Sequence, residues 1–86
     1  ANNTALGYIT LGDNTTGADN TAIGYNALAA NTTAGNNVAI GKDALKANTI
    51  GNTNIAIGTD AMTTNVAADR NVAVGEQALQ NMTAAT

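Results

Sequence analysis

Five glycines stand at positions 7, 24, 41, 58 and 75, each 17 residues after the one before. Each closes a version of one string: Thr4-Ala5-Leu6-Gly7, Thr21-Ala22-Ile23-Gly24, Val38-Ala39-Ile40-Gly41, Ile55-Ala56-Ile57-Gly58 and Val72-Ala73-Val74-Gly75. A fixed period of this length is the signature of a repeat architecture, in which each unit buries surface against its neighbours. It divides the chain into repeats 3–19, 20–36, 37–53, 54–70 and 71–86, one array over residues 1–86.

We number the columns from Asn3. Column 1 is Asn in every repeat (Asn3, Asn20, Asn37, Asn54, Asn71), and column 3 is Ala in every repeat (Ala5, Ala22, Ala39, Ala56, Ala73). Column 4 is aliphatic: Leu6, Ile23, Ile40, Ile57, Val74. A second apolar column, the ninth, holds Leu11, Leu28, Leu45, Met62 and Leu79. Ala27, Ala44, Ala61 and Ala78 precede it, with Thr10 in the first repeat. Column 12 holds Asn14, Asn31, Asn48 and Asn65 and breaks at Met82. Column 15 holds small residues: Gly17, Ala34, Gly51, Ala68 and Ala85. Disordered low-complexity tracts share such a composition but have no reason to hold a register, so the phase argues for a stacked structure.

Columns 1 to 5 alternate, with β-branched or aliphatic residues at the second and fourth, which predicts a short strand. Gly in column 5 ends it, because Gly accepts the positive φ of a turn. The Ala-Leu pair forms a second short apolar element, and the Asn/Thr/Gly-rich remainder is a turn. One turn of helix over residues 25–30 or 42–47 suits the local propensities, but about six residues are too few for a stable helix. The expected fold is all-β: a parallel β-solenoid or β-roll of five 17-residue repeats, one or two short strands per repeat. Columns 2 and 4 are expected to fill the interior, and the Ala of column 3 to face a partner chain. The Asn columns read either as amide ladders along the stack or as turn markers, and both roles can hold together.

Composition narrows the function. Four residue types (19 Ala, 14 Asn, 14 Thr, 9 Gly) supply 56 of the 86 positions, and there is no His, Cys, Pro, Phe or Trp. The common zinc, haem and iron–sulfur ligands and the Ser–His and Cys–His catalytic pairs are therefore missing. Only Lys42, Lys46 and Arg70 are basic, against Asp13, Asp19, Asp43, Asp60, Asp69 and Glu76, which argues against nucleic acid. No apolar run reaches the roughly 18 residues of a membrane span. The chain starts without Met or a signal-like region and shows no capping repeat, which reads as excision from a longer array.

Some columns invite chemistry. Asp43 and Asp60 share a column with Asn26 and Gln77, and a carboxylate pair can bind Ca²⁺, but the Gly-Gly-x-Gly-x-Asp pattern is absent and a solvated surface column is the simpler reading. Tyr8 and Tyr25 share a column and suggest either a small sugar-stacking site or an amphipathic surface. Thr15-Thr16 and Thr32-Thr33 begin a Thr array of the ice-binding kind, which fails at Thr49-Ile50 and Val66-Ala67. Asn-x-Thr sequons begin at Asn2, Asn14, Asn31 and Asn81. No catalytic, cofactor-binding or metal-binding residue is assigned, and the chain is not expected to be an enzyme.

The runs Asn20-Thr21-Ala22-Ile23-Gly24-Tyr25-Asn26-Ala27-Leu28 and Asn31-Thr32-Thr33 resemble repeats of phage tail-fibre proteins and related bacterial surface proteins. The Val38-Ala39-Ile40-Gly41 string is similar to the head repeat of trimeric autotransporter adhesins. The resemblance implies a left-handed parallel β-roll and a homotrimer. The adhesin repeat is shorter, and the residues added here are expected to lengthen the turn around Asn14, Asn31, Asn48 and Asn65. The expected function is a structural segment of an extracellular or virion-surface fibre that supports host or surface attachment. The alternatives are a repeat face that itself binds a cell-surface glycan or receptor, or an ice-binding solenoid.

Overall fold

The computed structural model describes residues 2–80. Each repeat contributes one strand of three residues: β1 (Thr4–Leu6), β2 (Thr21–Ile23), β3 (Val38–Ile40), β4 (Ile55–Ile57) and β5 (Val72–Val74). They form one parallel sheet in the order β1-β2-β3-β4-β5. Register is strict: Ala5 pairs with Ala22, Ala22 with Ala39, Ala39 with Ala56 and Ala56 with Ala73. The chain is thus an all-β parallel solenoid, with no helix among the described residues. Met82, Ala85 and the sequon at Asn81 lie outside those residues.

Column 5 ends the strand as expected. Gly24, Gly41 and Gly58 have φ of 122°, 126° and 131°. A Cβ on Gly41 would also lie 2.7 Å from the carbonyl oxygen of Gly58 on the next coil. Conformation and stacking distance therefore both require glycine here.

The Ala-Leu segment is neither strand nor helix. It is a run of linked turns: Ala27 N–H donates to Gly24 O (3.3 Å), Ala29 N–H to Asn26 O (3.2 Å) and Asn31 N–H to Leu28 O (3.2 Å). Asn26 and Leu28 sit at φ 61° and 50°, the third position of turns that need a positive φ. Asn and Asp tolerate that region well, which accounts for Asn26, Asp43 and Asp60 in column 7. Leu does not, and forcing it there costs about 1–2 kcal/mol. Column 9 accepts this cost because Leu28, Leu45 and Met62 are fully buried, which returns about 1.5–3 kcal/mol each. The turns also stack in register: Leu28 N–H donates to Ala44 O at 3.0 Å, and Ala30 N–H to Lys46 O at 3.1 Å.

The two faces of the strand are the reverse of the expectation. Ala22, Ala39 and Ala56 of column 3 are completely buried and point into the coil. There they join Ala27, Ala44 and Ala61 of column 8 and Leu28, Leu45 and Met62 of column 9 in a single core. Columns 2 and 4 point outward. Leu6 and Val74 are 66% exposed and Ile57 37%, while Ile23, Val38 and Ile40 are half-buried. The cause is the width of the coil, whose interior takes methyl groups from the strand opposite one leucine or methionine from the turns. A β-branched side chain in column 3 would overfill it.

Gly41→Ala should therefore strain the backbone and push coils three and four apart. The expected loss is about 3 kcal/mol, measured by chemical denaturation. A loss below about 0.5 kcal/mol would contradict the packing described.

Candidate functional site

Among the described residues, the buried polar side chains are six asparagines: Asn20, Asn37 and Asn54 of column 1 and Asn31, Asn48 and Asn65 of column 12. Each column is a ladder. In column 1, Oδ1 of one Asn accepts the backbone N–H of the next: Asn20 N–H to Asn3 Oδ1 (2.9 Å), Asn37 to Asn20 (3.0 Å), Asn54 to Asn37 (2.8 Å) and Asn71 to Asn54 (3.0 Å). In column 12 the side-chain amides bond to one another: Asn31 Nδ2 to Asn14 Oδ1 (2.8 Å), Asn48 to Asn31 (3.3 Å) and Asn65 to Asn48 (2.8 Å). Asn65 Oδ1 has no partner among the described residues.

The ladders meet at column 15. Gly17 O accepts Asn3 Nδ2 (2.8 Å) and Asn14 Nδ2 (3.1 Å). Ala34 O accepts Asn20 (2.9 Å) and Asn31 (3.1 Å), Gly51 O accepts Asn37 and Asn48 (both 2.9 Å), and Ala68 O accepts Asn54 (2.8 Å) and Asn65 (3.4 Å). In each of these four coils one buried carbonyl thus ties two asparagines 11 columns apart, which explains why the residue there is small. A Cβ on Gly17 would come within 2.5 Å of Asn14 Oδ1. The asparagines act as ladders throughout, and their amides are structural, not a surface for a ligand.

The candidate columns separate on the same grounds. Asp43 and Asp60 are half-buried at φ 62° and 63°, a conformational role, and no group of three or more potential metal ligands exists among the described residues. The sequons at Asn14 and Asn31 have both amide nitrogens engaged in the ladder. Asn2 is exposed. Column 13 hydroxyls turn toward the backbone, Thr15 Oγ1 to Thr32 O (3.0 Å) and Thr32 Oγ1 to Thr49 O (3.3 Å), so they do not form a free array. Tyr8 and Tyr25 do come together, with ring centroids 5.5 Å apart and planes within 4°.

Two features were missed at the level of sequence. Column 16 carries a third, outer ladder, in which Asn52 Oδ1 accepts Gly35 N–H and Asp69 Oδ1 accepts Asn52 N–H, both at 2.7 Å. No single residue type marks it. The second is the outward stripe of columns 2 and 4, which leaves Ile55, Ile57, Val72 and Val74 exposed side by side on β4 and β5. Its signal was present in the repeats: these columns vary in size, whereas the confined column 3 never does. No family model, curated protein or solved structure matches the chain.

The Asn48 side chain takes part in three hydrogen bonds, with Asn31, Gly51 and Asn65. Asn48→Ala should cost about 3 kcal/mol, because it leaves buried partners unsatisfied on two coils. Thr33→Ala, at an exposed position, should cost under about 0.5 kcal/mol. Equal losses in denaturant titrations of the two variants would contradict the ladder.

Proposed function

We propose that the chain is a structural segment of a homotrimeric fibre on a virion or cell surface, part of a shaft or head that supports attachment. The observation that carries this reading is the outward aliphatic stripe. A narrow solenoid whose own core consumes Ala, Leu and Asn turns its β-branched residues to the outside of the strands. Such a stripe, repeated at every coil along one direction, suits burial against the same stripe of other copies. The resemblance of the repeats to trimeric fibre proteins supports three copies and an extracellular or virion location. The interface in this reading is columns 2 and 4; the Ala face, buried within the coil, is excluded from it.

The repeat itself supplies length and rigidity in this role. Strands about 4.8 Å apart convert sequence repeats directly into height, and the amide ladders run along the same axis. The reading assigns no catalysis and needs no cofactor.

Sedimentation equilibrium tests it. The expected mass is three times that of the 8.5 kDa chain. The double variant Ile40→Asp, Ile57→Asp should sediment as a monomer while keeping the circular dichroism of the wild type, since both side chains point away from the core. A wild-type monomer at high concentration, or a variant that still trimerises, would overturn the reading.

A further inference from the structure

Column 6 places two phenols on successive coils, and the backbone fixes their spacing. Gly24 N–H donates to Leu6 O (2.8 Å) just before Tyr25, and Asn26 N–H donates to Tyr8 O (3.0 Å) just after it. The two tyrosines therefore project from equivalent points of adjacent coils, and their rings stack in parallel at 5.5 Å. Both are exposed, Tyr8 more than Tyr25. They are the only tyrosines, and the chain has no Cys or Trp to compete for a one-electron oxidant. Of the two methionines, Met62 is completely buried and Met82 lies outside the described residues.

We propose that Tyr8 and Tyr25 are an oxidative modification site, at which a peroxide acting through a peroxidase joins them as dityrosine and staples the first two coils covalently. Each phenol loses one electron and its phenolic proton to give a tyrosyl radical, whose spin density lies partly on the ring carbons ortho to oxygen. Two such carbons combine to form one C–C bond. The ortho hydrogens then leave as protons while the phenols regain theirs. The chain loses two hydrogen atoms in all, and one hydrogen peroxide is reduced to two waters. The fold contributes proximity: two rings already in contact couple within one chain faster than rings that must meet by diffusion. Exposure lets the side chains turn from stacked to bonded geometry without disturbing the coil.

The linkage closes a loop of one repeat, and it restrains the unfolded chain as a disulfide would, in a sequence that has no cysteine. The proposal does not depend on the oligomeric state.

The test treats an equal mixture of ¹⁵N-labelled and unlabelled chains with hydrogen peroxide and horseradish peroxidase. Cleavage before Asp13 and Asp19 then separates Tyr8 from Tyr25. The expected product is a cross-linked Tyr8–Tyr25 peptide pair in which both halves carry the same label, with two hydrogens lost and dityrosine fluorescence. Tyr8→Phe and Tyr25→Phe should each abolish that pair, and the cross-linked wild type should melt at a higher temperature than the untreated protein. The proposal is overturned by cross-links of mixed label, by equal same-label yield from urea-unfolded chains, or by no dityrosine where free N-acetyltyrosine couples.

Discussion

The structure depends on a carbonyl that accepts two amides. In each of the first four coils the column 15 oxygen receives Nδ2 of the column 1 and column 12 asparagines. Burying a primary amide without partners costs several kcal/mol, so this arrangement must be complete to be stable. Completion requires a neighbour, because the Oδ1 of one coil is satisfied only by the N–H of the next. The coils are consequently interdependent in polar terms before any apolar contact is considered. A one-residue insertion would place the wrong side chain at all three columns, which is a physical reason for an unbroken 17-residue phase.

That network also shows how so poor a set of apolar residues can hold a regular fold. The core contains Ala in columns 3 and 8 and one Leu or Met in column 9. Column 9 is held in a left-handed conformation that Leu disfavours, at Leu28, Leu45 and Met62 alike. The strain is tolerable because it lets the turn run aim its one large side chain inward. Column 5 avoids similar strain by using Gly, and columns 7 and 17 reduce it where they use Asn or Asp. The backbone path is thus set by left-handed positions at fixed columns, each filled by the residue its surroundings allow.

Much of this was legible in the sequence. The period gave the parallel register, Gly the strand end, and the invariant asparagines the ladder option. The inside and outside of the strand were not legible from hydrophobicity. A three-residue strand such as Val38-Ala39-Ile40 offers two faces, and the rule that large apolar groups go inside selects the wrong one. That rule assumes a core wide enough to receive them. The repeats contain a better guide: a confined position admits one size, and column 3 is Ala in every repeat while column 4 ranges over Leu, Ile and Val. The linked turns were hidden for a different reason. Their geometry rests on positive φ at Leu28 and its equivalents, which residue propensity argues against.

Separating a hydrogen-bonded interior from an apolar exterior leaves the two free to change independently. Columns 1, 3, 5, 12 and 15 touch the next coil through the backbone, the ladders or the core, and they are nearly fixed. Columns 2, 4 and 6 face outward and drift from coil to coil. Column 2 passes from Thr4 and Thr21 to Val38, Ile55 and Val72, and column 6 from Tyr8 and Tyr25 to Lys42, Thr59 and Glu76. The same coil can therefore carry a more polar or a more apolar stripe without altering its own packing. That stripe is not part of the core, so burial within the coil places no limit on the size or polarity of its side chains.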